Sequence, residues 1–120
     1  SLHDALPICM YMQLNTIEQT ALKEFAALLS TRFADNYLYS CLFGSKARGD
    51  AHAGSDLDVA VVLNHADFKT KCAVIDLAYE ELLKSDVEIS PLVFSQDEYE
   101  RQRREGFPII SEIERDMVRL

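Results

Sequence analysis

The 120-residue chain has few of the features that mark several protein classes. Its three cysteines, Cys9, Cys41 and Cys72, are odd in number, widely spaced and without a CxxC pair, so neither a disulfide framework nor a cysteine zinc site is indicated. Reduced thiols in a cytoplasmic protein are expected. No apolar run approaches the roughly 18 residues needed to cross a bilayer, and no basic segment precedes a hydrophobic stretch at the N-terminus, which removes the membrane and secretory readings. Positive charge is scarce too. Twelve Lys and Arg against twenty Asp and Glu leave a formal charge of −8, which argues against direct binding of bare nucleic acid, because that affinity rests on cations neutralising phosphates. A nucleotide carried by a metal ion stays compatible with it.

What remains is 48% hydrophobic and 27% charged, the composition of one ordinary folded domain. Residues 1–9, SLHDALPIC, carry no helical or strand period, and SLHDALPI resembles translated sequencing-adapter sequence. They are expected to be a non-native leader, with the native chain starting at Met10 or Met12 and a single domain over 10–120.

From Thr16, Ile17, Leu22, Phe25, Leu28 and Leu29 recur at mostly helical steps, Thr16 with Gln19 makes a capping-box pattern, and the helix should end near Ala34. YLYSCLF then reads as a buried strand stopped by Gly44, and DLDVAVVL as a second strand, apolar on both faces at its far end and acidic at its near end. Over 66–85, Phe68, Cys72, Ile75, Tyr79 and Leu82 form a helical stripe expected to cover the sheet. VEISPLVF is a third strand, at an edge or bulged because Pro91 lacks a ladder donor. Ser95 with Glu98 opens a polar helix to about Glu105, Gly106 ends it, and Pro108 occupies N1 of a last short helix. The order α-β-loop-β-α-β-α-α describes an α/β (α+β) domain.

The chemistry concentrates in GSKARGDAHAGSDLDVAVV. Alternation puts Asp56 and Asp58 on one strand face, where like charges repel unless a cation lies between them. Two or three carboxylates with phosphate oxygens completing the octahedron is how Mg²⁺ is commonly held. Gly44 lets a phosphate approach the backbone, the Ser45 hydroxyl can donate to it, and amides of a helical turn over Lys46–Gly49 would point at it. Arg48 either neutralises phosphate or pairs with a nearby carboxylate. His52 reads as a solvated loop residue, Arg101, Arg103 and Arg104 as an exposed helix bearing ion pairs, Tyr37, Tyr39 and Phe43 as packing residues, and Cys41 and Cys72 as core.

Gly44-Ser45-x10-Asp56-x-Asp58, with Ala47-Arg48-Gly49-Asp50 and Ser55, resembles the signature of the minimal nucleotidyltransferases of the DNA polymerase β-like superfamily. EISPLVFSQDEYE and FPIISEIERDMVRL resemble the last strand and closing helices of small members, so the similarity spans most of 15–120. It implies a small mixed sheet flanked by helices. It also implies a third carboxylate in a Val-Asp-hydrophobic setting, where Val87-Glu88-Ile89 stands here; Glu88 is a departure, and Asp86 is an alternative on the same face by alternation. On this resemblance the catalytic and metal-binding residues are Asp56, Asp58 and Glu88, holding two Mg²⁺, and Gly44, Ser45, Arg48 and Ser55 bind ATP. Residues 10–120 leave no room for an appended acceptor domain, so the acceptor is expected to come from a partner. The resemblance implies an antitoxin that transfers AMP to a tyrosine of a HEPN-domain ribonuclease toxin within a hetero-oligomer. The alternatives are a non-catalytic antitoxin acting by contact and nucleotidyl transfer to a small-molecule hydroxyl.

Overall fold

The computed structural model describes residues 14–49 and 56–120. Helix α1 (Thr16–Phe33) leads through a 3-10 turn at Ala34–Asn36 into β1 (Tyr37–Phe43), followed by a single helical turn, α2 (Ser45–Arg48). Then come β2 (Leu57–Leu63), α3 (Phe68–Ser85), β3 (Ile89–Ser95), α4 (Gln96–Arg104), α5 (Pro108–Asp116) and a two-residue β4 (Val118–Arg119). The sheet order is β3-β2-β1-β4. β1 is antiparallel to β2 and β4, whereas β2 and β3 are parallel, as the crossover helix α3 requires. Pro91 therefore stands on an edge strand, where its missing N–H costs no ladder bond.

Strand alternation divides the interior into two cores. Leu57, Val59, Val61 and Leu63 of β2 pack with Leu22, Phe25 and Leu29 of α1 and with Val74, Leu77 and Ala78 of α3. Ala60 and Val62 face the other way, joining Cys41 and Phe43 of β1, Phe94 of β3, Tyr99 of α4, and Ile110 and Ile113 of α5. Helices on both faces explain why the far end of β2 is apolar throughout. Cys41 is plain core: burial raises its thiol to about 11. A register shift between Tyr37 and Tyr39 breaks the alternation, so Tyr37 packs with the α1 side and Tyr39 with the α4–α5 side.

Local signals hold with two corrections. The capping box of α1 lies one residue earlier than Thr16–Gln19: Asn15 Oδ1 accepts from Glu18 N at 2.8 Å and Asn15 N donates to Glu18 Oε1 at 3.0 Å. Both pairs fit the pattern, and Asn is the stronger cap. The larger correction concerns α3, whose buried residues are Val74, Leu77, Ala78 and Glu81. Phe68, Ile75 and Tyr79, expected to cover the sheet, are 83%, 51% and 57% exposed. The capping box of Ser95 and Glu98 and Pro108 at the start of α5 are as expected.

Candidate active site

Gly44, Ser45, Asp56 and Asp58 gather where β1 ends and β2 begins. Phe43 pairs with Asp58, so Gly44, the next residue, turns away directly beside that aspartate. Gly44 has φ +79°, a conformation that disfavours other residues, and a Cβ there would lie 2.5 Å from Asp58 Oδ2. Glycine is needed twice over: for the turn and for the close approach of the carboxylate. The helical turn expected after it forms over Ser45–Arg48, with Arg48 N donating to Gly44 O and Gly49 N to Ser45 O, both typical i−4 bonds. The first amides of that turn have no partner within it.

Asp58 shares its face with Ala60 and Val62, beneath α5. Its carboxyl is raised above the ordinary range first by burial, then by repulsion from Asp56 and from Glu112, while Arg48 pulls it down. The two aspartates therefore act on each other as their spacing demands, and Glu112 of α5 adds a third negative charge. Asp56 is exposed just ahead of β2. A half-buried carboxylate pressed on a glycine, crowded by two others, fits a divalent cation, whose charge would relieve this repulsion.

Arg48 is anchored: its Nη1 donates to Asp116 Oδ2 at 3.1 Å, tying the α2 turn to the end of α5. A pairing with a nearby carboxylate, one of the two roles expected of it, is therefore present. Lys46, beside it, is buried and pairs with Glu18 at 3.0 Å, fastening the same turn to the first turn of α1. The Gly44-Ser45 turn is thus held from both sides of the sheet. Glu112 and Asp116, one helical turn apart on α5, are the site neighbours that sequence reasoning missed; their i, i+4 spacing is the only signal.

Glu88 is placed less tightly. Val87 and Ile89 on either side of it are buried with the α1–α3 core, so Glu88 projects outward, and its carbonyl accepts from Leu57 N at 3.0 Å, which sets it level with Asp56. Among the described residues, however, no three His, Cys, Asp or Glu side chains stand close enough to hold a metal ion. Asp86, the alternative, is the left-handed cap of α3 at φ 58° and lies outside the strand, so alternation does not place it beside Glu88. Ser55, Asp50 and His52 lie outside the described residues.

A model of the nucleotidyltransferase domain matches residues 22–118, spanning the glycine turn, the aspartate pair and the closing helices. The chain belongs to the nucleotidyltransferase domain family. Two Methanocaldococcus jannaschii proteins, provisionally named protein adenylyltransferases, are similar to it. One is 36% identical over 85 residues, covering 71% of this chain and 81% of the relative; the other is 37% identical over 76 residues, covering 62% and 77%. A Sulfolobus solfataricus protein, described in its crystal structure provisionally as a nucleotidyltransferase, superimposes with a TM-score of 0.53 over 89% of this chain and 80% of its own, at 19% identity. That likeness carries the fold. As a nucleotidyltransferase, the chain joins a family that generally uses a nucleoside triphosphate and a divalent metal.

Proposed function

We propose that this nucleotidyltransferase transfers AMP from ATP to a tyrosine hydroxyl of a partner HEPN ribonuclease toxin, and so acts as its antitoxin. The observation that carries the reading is the Asp56–Asp58 pair set against Gly44 at the start of a helical turn. The names of the Methanocaldococcus relatives support a protein acceptor. The partner, the tyrosine and the use of two metal ions are this proposal's own content.

In the reaction the tyrosine oxygen bonds to the α-phosphorus of ATP, the bond from that phosphorus to the bridging oxygen breaks, and pyrophosphate leaves. Asp56 and Asp58 would hold Mg²⁺, which when bound neutralises the triphosphate and lowers the pKa of the attacking hydroxyl. Ser45 Oγ and the first amides of α2 bind the β- and γ-phosphates, with Ser55 as a further nucleotide contact. Arg48, held at 3.1 Å by Asp116, orients the turn. Glu88 would accept the tyrosine proton.

That Glu88 forms no three-carboxylate cluster with Asp56 and Asp58 among the described residues favours a second reading, an antitoxin that neutralises its partner by contact alone. Incubating the purified complex with ATP and Mg²⁺ and weighing the partner by mass spectrometry separates the two. Added AMP on a tyrosine supports transfer. A stable complex with no mass change, where ATP binding is proven, supports contact only. Glu88→Gln should lower transfer by at least ~100-fold, as for loss of a general base; if Glu112→Gln does so and Glu88→Gln does not, the base belongs to α5.

A further inference from the structure

Helix α3 carries two apolar stripes. Val74, Leu77 and Ala78 are buried, while Phe68, Ile75, Tyr79 and Leu83 are 83%, 51%, 57% and 70% exposed, with Cys72 half-buried among them. At 150–250 Å² for a whole aromatic side chain, the four exposed residues offer on the order of 500 Å² of apolar surface, well over half of one partner's share of a standard interface. Patches of this size on a small domain commonly mark an interaction site.

The stripe is self-complementary. Reversing α3 about a point between Ile75 and Asp76 sets Phe68 on Leu83, Cys72 on Tyr79 and Ile75 beside its own copy, so an antiparallel pair of these helices meets apolar residue to apolar residue along its length. The flanking charges obey the same symmetry. Lys69 and Glu80 are both exposed, eleven residues apart and so within about 20° of each other around the helix. Antiparallel pairing brings each Lys69 to within about 3 Å of axial register with the partner's Glu80, twice per pair. Asp76, nearest the centre of the flank, faces its own copy there, and this repulsion opposes the two ion pairs.

From this we propose that the outer face of α3 is a docking surface for a second copy of this chain, joined antiparallel through Phe68, Ile75, Tyr79 and Leu83 and registered by reciprocal Lys69–Glu80 pairs. α3 packs on the sheet face opposite α4 and α5, so pairing there leaves the Asp58 pole open to nucleotide and acceptor. The inference stands independently of what the acceptor is.

Sedimentation equilibrium of the purified chain tests it. The expected result is a species of twice the 13.6 kDa chain mass, with a dissociation constant in roughly the micromolar range for an interface of this size. Tyr79→Glu and, as an independent disruption, Phe68→Ser should each weaken pairing at least ~10-fold, with unchanged circular dichroism because both side chains are exposed. Lys69→Glu should weaken it several-fold, Lys69→Glu combined with Glu80→Lys should restore it, and Asp76→Asn should tighten it. A chain that stays monomeric at ~200 µM, a dimer indifferent to both Tyr79→Glu and Phe68→Ser, or a charge swap that fails to restore association would overturn the proposal.

Discussion

The two ends of the β1–β2 pair use similar residues to opposite effect. At the end where Tyr37 faces Leu63, polar groups satisfy one another: Asn64 N donates to Asn36 O, Asn36 Nδ2 to His65 O, Asn64 Nδ2 to Asp35 O, and His65 N to Asn36 Oδ1, all at 2.8–2.9 Å. At the end where Phe43 faces Asp58, carboxylates are set against one another and against a glycine in left-handed conformation. One end spends its polar groups on closing the fold. The other holds them in an arrangement that a ligand would relieve, at some expense in stability, as is common where a site is preorganised.

Substitution at the crowded end should have the largest effect. Asp58→Asn should lower AMP transfer by about 1,000-fold, the loss expected when several kcal/mol of metal-supplied charge stabilisation goes. The same change should leave the ligand-free protein slightly more stable in a melting experiment, because it removes a repelling charge. The pH dependence follows from the raised carboxyl of Asp58. The folded state holds that proton more tightly than the unfolded chain, so this contribution to stability is full below the unfolded pKa of ~3.9 and falls away as pH rises through the higher folded value. Asp58→Asn should flatten that part of the curve.

Gly44→Ala comes next. It strains a positive φ and drives a methyl into Asp58 Oδ2, so it should destabilise by roughly 1–3 kcal/mol and, by displacing the carboxylate, lower transfer about 100-fold. At the closed end, Asn36→Ala removes two side-chain hydrogen bonds and should cost only about 1–2 kcal/mol, seen as a lower denaturant midpoint with unchanged transfer per folded molecule. If Asn36→Ala impaired transfer as severely as Gly44→Ala, the two ends would not differ in kind.

The contrast between the ends was partly legible in the linear chain. Strand β1 was readable because the stretch from the turn at Asp35–Asn36 to Gly44 is aromatic and apolar but for Ser40, and the aspartate pair because a two-residue spacing on a strand has one geometric meaning. The identity of the inward stripe of α3 was not. Both stripes have helical period, and the more apolar one, Phe68 to Leu83, is outside, while small Ala78 and Val74 let the helix approach the sheet and α1. Periodicity identifies a helix; the close packing of its neighbours decides which face goes in. β4 has two residues and so no pattern to detect. Glu112 and Asp116 reach the site only because Ile110 and Ile113 seat α5 over β1, a tertiary event. Glu88 was located by its apolar neighbours, but it lies just ahead of the regular ladder of β3, where spacing no longer fixes how close a side chain comes to Asp56 and Asp58.

The central claim is that Asp56 and Asp58, set against the Gly44-Ser45 turn, bind a metal-carried nucleotide. Calorimetric titration of ATP into the wild-type protein and into Asp56→Asn/Asp58→Asn, each with Mg²⁺ and with a chelator, tests it most directly. The account predicts binding by the wild type in Mg²⁺ alone and its loss in the double variant, which should otherwise melt at or above the wild-type temperature. Equal ATP affinity in the two proteins, or wild-type affinity indifferent to Mg²⁺, would contradict it.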